Sequence, residues 1–112
     1  MDMVKIKRFD VYLVNLDPTL GSEIKKTRPV VIVSPDSMNQ SRLKTVIVAP
    51  MTSTIKENFP TRINTTFNKK AGQIALDQIR AIDRIRIVKI LGHLDNETKE
   101  NIFTILSIMF QR

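Results

Sequence analysis

The sequence predicts one mainly β domain, a small and strongly curved β-barrel closed by a single C-terminal helix. Three observations predict it. Through the first three quarters of the chain, short runs rich in Val, Ile and Thr are separated by turn residues. Beyond Asp95 the apolar spacing changes to that of a helix. The length of 112 residues, 42% hydrophobic and 26% charged, suits one ordinary globular domain over 1–112.

The elements follow in order. Val11-Tyr12-Leu13-Val14 makes a first strand that runs into the turn Asn15-Leu16-Asp17-Pro18-Thr19. Pro29-Val30-Val31-Ile32-Val33 makes a second, apolar enough along its length to be buried on both faces. Ser34-Pro35-Asp36 breaks it, with Pro35 suited to the first position of a short helix capped by Ser34. Thr45-Val46-Ile47-Val48-Ala49 is a third strand, stopped by Pro50. Weaker strand signals follow at 61–65, 72–77, 79–82 and 85–91; in the last, Ile85 and Ile87 flank Arg86 as in a half-solvated strand. Asp95 is a natural N-cap, with Glu97 and Glu100 well placed against the positive end of the helix dipole. Ile102, Ile105, Leu106 and Met109 form the apolar stripe of that helix.

Composition excludes several chemistries. Cysteine is absent and there is one histidine, which removes disulfides, thiolate metal sites, a Cys nucleophile, multi-imidazole zinc sites and a two-histidine nuclease mechanism within one chain. Eighteen Lys and Arg against eleven acids give a net charge of +7, which favours a polyanionic partner, either nucleic acid or an acidic peptide. The charge is uneven: residues 56–89 hold eight Lys and Arg against three acids. Positions 1–8 carry charges where a signal peptide needs an apolar run, and the apolar runs are too short to span a bilayer. A soluble cytoplasmic protein without membrane contact is expected.

Chemistry concentrates in the long basic loop from Asp17 to Pro29. A loop of this length in so small a domain is more often functional than a plain connector. Arg28 directly precedes a buried-looking strand, and a permanently charged planar fork held there suits bidentate phosphate contact. Met51-Thr52-Ser53-Thr54 follows the third strand, and Asp77-Gln78 interrupts an apolar strand pair, with Asp77 a turn-former or a partner for Arg80. His93 lies just before the helix and is read as capping or surface packing rather than catalysis. Phe103 and Phe110 are read as core or dimer-contact residues, and Phe59 as a loop anchor with base stacking as its functional alternative.

Three blocks together carry a family resemblance. Asp10-Val11-Tyr12, Asp17-Pro18-Thr19-Leu20-Gly21-Ser22-Glu23 and Thr27-Arg28-Pro29-Val30-Val31-Ile32-Val33-Ser34 form the first; Pro50-Met51-Thr52-Ser53 the second; Ala75-Leu76-Asp77-Gln78-Ile79-Arg80-Ala81-Ile82-Asp83 the third. In order and spacing they resemble the MazF/PemK/Kid toxins over nearly the whole chain. The resemblance implies an SH3-like barrel of the CcdB/PemK-like toxin fold. It also implies a homodimer and a sequence-specific, metal-free endoribonuclease that cleaves single-stranded RNA, messenger RNA above all, and stops translation. A cognate antitoxin is the implied protein partner, reaching the basic surface through an acidic or amphipathic tail, and no cofactor is implied.

Position by position, the resemblance makes Arg28 the catalytic arginine, Thr52 its partner and Glu23 the supporting loop glutamate. Asp77 and Gln78 match strand positions that contact RNA or assist catalysis, and Asp10 matches an acid near the active groove. Thr19, Ser22, Lys25, Lys26 and Ser53 are the remaining implied RNA contacts. Three departures stand out: Ala75 replaces a second arginine of some relatives, Lys25-Lys26 replaces a glycine-containing stretch, and Phe9 stands where glycine is frequent.

Metal-free cleavage uses the 2′-OH of the RNA as nucleophile and leaves a 2′,3′-cyclic phosphate and a 5′-OH. The protein must then supply a base, an acid and charge stabilisation at phosphorus. Arg28 suits the last role, because it is never deprotonated. Glu23 and Asp77 are both open as the base. Two rival readings remain: a non-catalytic toxin of the same fold that binds a protein such as gyrase, and a basic nucleic-acid-binding domain. The pairing of Arg28 with Thr52 favours the enzyme, since neither rival needs both.

Overall fold

The computed structural model describes residues 5–112, so the charged start read at positions 1–4 lies outside the described residues. Strands β1 (Asp10–Asn15), β2 (Thr27–Ile32), β3 (Thr45–Thr52), β4 (Arg62–Phe67), β5 (Lys70–Ala75), β6 (Arg80–Asp83) and β7 (Ile87–His93) are joined by the short helix α1 (Asp36–Asn39) and followed by α2 (Asn96–Phe110). Single 3-10 turns occupy Leu76–Gln78 and Arg84–Arg86. The sheet runs β4-β5-β3-β2-β1-β7, all pairs antiparallel, with β6 beside the first half of β3. It curls into a half-barrel whose end strands β4 and β7 do not pair with each other, and α2 lies over its core as the sequence predicts.

The continuous apolar run of β2 has a simple cause. Alternate residues feed two separate cores, one on each face of the sheet. Val31 and Val33 join Val11, Ala49, Met51 and Ile74 in a core under α2; Val30 and Ile32 join Tyr12, Val14, Val46 and Val48 in the other. Helix α2 covers the first core with Ile102, fully buried, and with Ile105, Leu106 and Met109, the predicted stripe. Burial of a side chain like Ile102 contributes about 1.5–3 kcal/mol. Asp95 caps the helix as expected, its carboxylate accepting from the Thr98 N–H at 2.8 Å.

Four local expectations are corrected. Ser34 does not cap α1; Pro35 is the N-cap residue, and the buried Ser34 hydroxyl instead donates to Asn39 and accepts from the Ile47 N–H at 3.1 Å. The strand expected at 72–77 ends at Ala75, which puts Asp77 and Gln78 on a 3-10 turn rather than a strand. Ile85 belongs to the second such turn and is 85% exposed, so it has no inward face. Of the two roles expected for His93 only capping is corrected, since it belongs to Asp95; His93 is the exposed last residue of β7, its Nδ1 2.6 Å from Asp10 Oδ1.

The Phe9 departure also acquires a reason. Its φ is +71°, the left-handed region that favours glycine, yet its ring is buried and meets Phe103 edge-on at 5.0 Å. Aromatic packing offsets a backbone cost of roughly 1–2 kcal/mol.

Candidate active site

Two prolines open the site. The β2–β3 ladder pairs Ile32 with Val48, Val31 with Ala49 and Val30 with Pro50, then stops. Pro29 and Pro50 have no N–H to donate, so the strands separate there. Continuing the register by two residues sets Arg28 opposite Thr52, although they are far apart in sequence. Past Pro50, β3 pairs with β5 instead, Met51 with Ile74 and Thr52 with Gln73. The space between β2 and the β4–β5 hairpin becomes a cleft of about 420 Å³.

Arg28, Thr52, Ser53, Thr65, Asn68 and Lys70 supply its polar lining, and among the described residues no carboxylate lines it. Arg28 Nε donates to the Lys25 carbonyl at 2.7 Å, which orients the guanidinium and leaves its two terminal nitrogens without a hydrogen-bond partner among the described residues. Thr52 Oγ1 accepts from the Thr54 N–H at 3.1 Å, so the hydroxyl proton remains free to donate. Two cations, three hydroxyls and an amide, with no acid among the described lining residues, give the cleft a chemistry suited to an anionic ligand.

Gly72 lets the walls approach. A Cβ built there would lie 2.7 Å from the Thr52 carbonyl oxygen, inside any tolerable contact. The hairpin itself turns through Asn68 and Lys69, both at positive φ (51° and 66°), as a two-residue hairpin loop requires. Sequence reasoning missed Thr65, Asn68 and Lys70 as site residues. The signals available were a glycine inside a strand, which marks close backbone approach, and the Asn68-Lys69-Lys70 turn.

The other expected residues sit elsewhere. Asp77 is paired with Arg62, not with Arg80: Arg62 Nε donates to Oδ1 at 2.7 Å and Nη2 to Oδ2 at 3.1 Å, with the Thr61 hydroxyl adding a third bond at 3.1 Å. Burial opposes ionisation of Asp77, but the bonds from Arg62, its own N–H and Thr61 outweigh it and hold the carboxyl below its ordinary range. Arg80 instead donates to the Leu16 carbonyl at 3.1 Å. Asp10 is buried, accepting from the Lys7 N–H and facing His93. Glu23 accepts from the Leu20 N–H at 2.6 Å and is otherwise exposed on the loop.

The loop is laced by its own polar groups. Asp17 Oδ1 accepts from the Lys26 N–H at 3.1 Å and from the Thr19 hydroxyl at 3.4 Å, and Arg86 donates to the Asn15 and Asp17 carbonyls. The Ser22 carbonyl accepts from Gln78, and the Lys25 and Lys26 side chains are exposed. Among the described residues no three His, Asp or Glu side chains converge to form a chelating set. No helix among them is long and apolar enough to cross a membrane.

A half-barrel with a terminal helix and a cationic, hydroxyl-lined cleft defines a small protein suited to an anionic ligand. Residues 7–110 match the family described as PemK-like, MazF-like toxins of type II toxin–antitoxin systems. The chain is 35% identical over 108 residues to endoribonuclease EndoA of Bacillus subtilis, covering 92% of each. Its fold is similar to MazF from Deinococcus radiodurans (TM-score 0.81, 19% identity, 96% and 97% of the two chains). It is also similar to a mycobacterial endoribonuclease solved in complex with its cognate antitoxin (TM-score 0.77, 21% identity, 96% and 98%). The chain belongs to the PemK-like, MazF-like toxin family, a family of endoribonucleases.

Proposed function

We propose that this chain cleaves single-stranded RNA without a metal, by attack of the 2′-OH on the adjacent phosphorus. The new 2′-O–P bond closes a 2′,3′-cyclic phosphate as the P–O5′ bond breaks, and the leaving oxygen takes a proton to become a 5′-OH. The observation that carries this reading is the cleft with Arg28 and Thr52 on facing strands, where among the described residues no acid lines it and each of the two, oriented by a backbone group, keeps a free donor. Charge that develops on the phosphoryl oxygens meets donors already in place, which is where electrostatic catalysis gains most.

Asp77 is disfavoured as the base, and Glu23, which stands on the loop outside the cleft lining, is the carboxylate that remains for that role. Asp77 is committed to Arg62 and Thr61, and a carboxylate held below its ordinary range is a weak proton acceptor. Glu23 is exposed on the loop that leads to Arg28, held by one backbone N–H. Lys25, Lys26, Ser53, Lys70 and Asn68 supply further contacts to the RNA backbone.

The biological reading follows the family and these relatives. Cutting messenger RNA stops translation, and an antitoxin with an acidic or amphipathic tail neutralises the toxin by covering the same basic surface. A two-fold homodimer is supported by exposed apolar residues on β7 (Val88, Ile90) and α2 (Phe103, Ile108, Phe110). The test is incubation of the protein with mixed RNA in EDTA, with both ends of each fragment mapped. Cyclic phosphate and 5′-OH ends are expected. Cleavage that stops in EDTA, or 5′-phosphate ends, would overturn the reading.

A further inference from the structure

We propose that Gln78 is a positioning residue that sets the Arg28 guanidinium by clamping the loop before it; this rests on the reading of Arg28 given above. The Gln78 amide spans two distant parts of the chain. Its Oε1 accepts from the Ile24 N–H at 2.6 Å and its Nε2 donates to the Ser22 carbonyl at 3.1 Å. One side-chain amide thus does for the loop what a neighbouring strand does for a ladder, satisfying one donor and one acceptor two residues apart.

The next link is direct. Ile24 precedes Lys25, whose carbonyl receives Arg28 Nε. Two holds together set the direction of the Lys25 carbonyl: Gln78 fixes the Ile24 N–H on its upstream side, with the half-buried Ile24 side chain packed against the second core, and Asp17 holds the Lys26 N–H of the same peptide group. That carbonyl decides which way the guanidinium fork points. The support behind Gln78 is equally firm: Asp77, its neighbour on the same 3-10 turn, is locked to Arg62 of β4. A mechanical line therefore runs from Arg62 through Asp77, Gln78 and the loop to Arg28. The family pattern makes position 78 an RNA contact, but both polar atoms of this amide are engaged with the chain itself.

Other bonds keep the loop in place without Gln78, so its replacement loosens the middle of the loop and leaves the fold intact. Asp17 holds the Lys26 N–H, the Leu16 N–H donates to the Lys26 carbonyl, and Glu23 closes the tip on Leu20. Gln78→Met keeps the length and packing but neither hydrogen bond, which separates clamping from packing. Gln78→Glu keeps the acceptor for Ile24 and sets a second anionic oxygen against the Ser22 carbonyl.

The experiment has two readouts on protein whose folding is first checked by thermal melting. One is steady-state cleavage of an RNA oligonucleotide; the other is solvent exchange of the Arg28 Nε–H by ¹⁵N NMR without RNA. In Gln78→Met and Gln78→Glu, kcat is expected to fall ~10- to 100-fold with KM within about 3-fold, the signature of a misaligned catalytic group. Arg28 Nε–H exchange is expected to rise by ~10-fold or more as its local bond opens. A raised KM with unchanged kcat and exchange would make Gln78 an RNA contact and overturn the proposal. Faster exchange with unchanged kcat would overturn it too, since the clamp would then not position Arg28. If the parent protein cleaves no RNA, the reading of the active site fails, and the exchange measurement still decides whether Gln78 holds Arg28.

Discussion

Replacing Gly72 by alanine tests the geometry of the cleft without removing any polar group. The new Cβ would lie 2.7 Å from the Thr52 carbonyl oxygen, against an ordinary contact of 3.4 Å or more, so a gap of about 0.7 Å must open. Both atoms belong to strands, Gly72 paired with Thr65 and Thr52 with Gln73, and neither can yield by rotating a side chain. Overpacking of this size costs about 1–3 kcal/mol, reduced by the ~0.4–1 kcal/mol that Gly→Ala gains by restricting the unfolded chain. A loss of roughly 1–2 kcal/mol lowers the melting temperature of a domain this size by about 4–10 °C. The displaced residue is Thr52 itself, so the rate should fall further than stability, by ~10-fold or more at a temperature where the variant is fully folded. Thermal melting and initial-rate cleavage on the same preparation measure both. A variant as stable and as fast as the parent would refute the close approach of β5 to Thr52.

Three further outcomes are expected. Asp77 has its carboxyl pKa held below the ordinary value, so its ion pair with Arg62 stabilises the fold above the unfolded pKa of about 4, and that contribution is lost as pH falls through the folded pKa. The stability gap between parent and Asp77→Asn in urea titrations should be widest at neutral pH and shrink in acid; a gap independent of pH would count against the pair. Tyr12 carries a buried hydroxyl with no partner among the described residues, and burial followed by the nearby Asp10 carboxylate pushes its phenol pKa up. Tyr12→Phe should therefore be neutral or stabilising by up to about 1–3 kcal/mol in denaturant melts, and a clear loss would reveal a bond to that hydroxyl. An RNA with one 2′-deoxy sugar immediately 5′ of the scissile phosphate should bind and stay whole in a gel assay; efficient cutting would replace the 2′-OH by water as nucleophile.

Periodicity carried the main elements. Val30 to Val33 read as a strand buried on both faces because its alternate residues do feed two cores, and Asp95 read as a cap because the helix begins just after it. Tertiary contacts decided what was misread. Ser34 has the chemistry of a cap, but burial turns its hydroxyl toward Asn39. The strand signal at 72–77 ran two residues too far, because Asp77 turns away to reach Arg62 and Gln78 beside it to reach the loop. Arg28 and Thr52 were each conspicuous at a strand end, but their meeting depends on the register of β2 on β3, which no local pattern reports. Thr65, Asn68 and Lys70 come from a hairpin whose turn lacks the expected glycine, so the far wall of the cleft was invisible until the chain was folded.

The central claim is that Arg28 stabilises charge at the scissile phosphorus rather than merely holding RNA. Single-turnover cleavage by Arg28→Ala at saturating RNA, with affinity measured in parallel, tests it most directly. The expected result is a rate at least ~10²-fold below the parent, roughly 3 kcal/mol, with a much smaller change in affinity because the surrounding lysines supply most of the binding. Cleavage near the parent rate would contradict the claim and leave Thr52 and Glu23 to carry the chemistry without it.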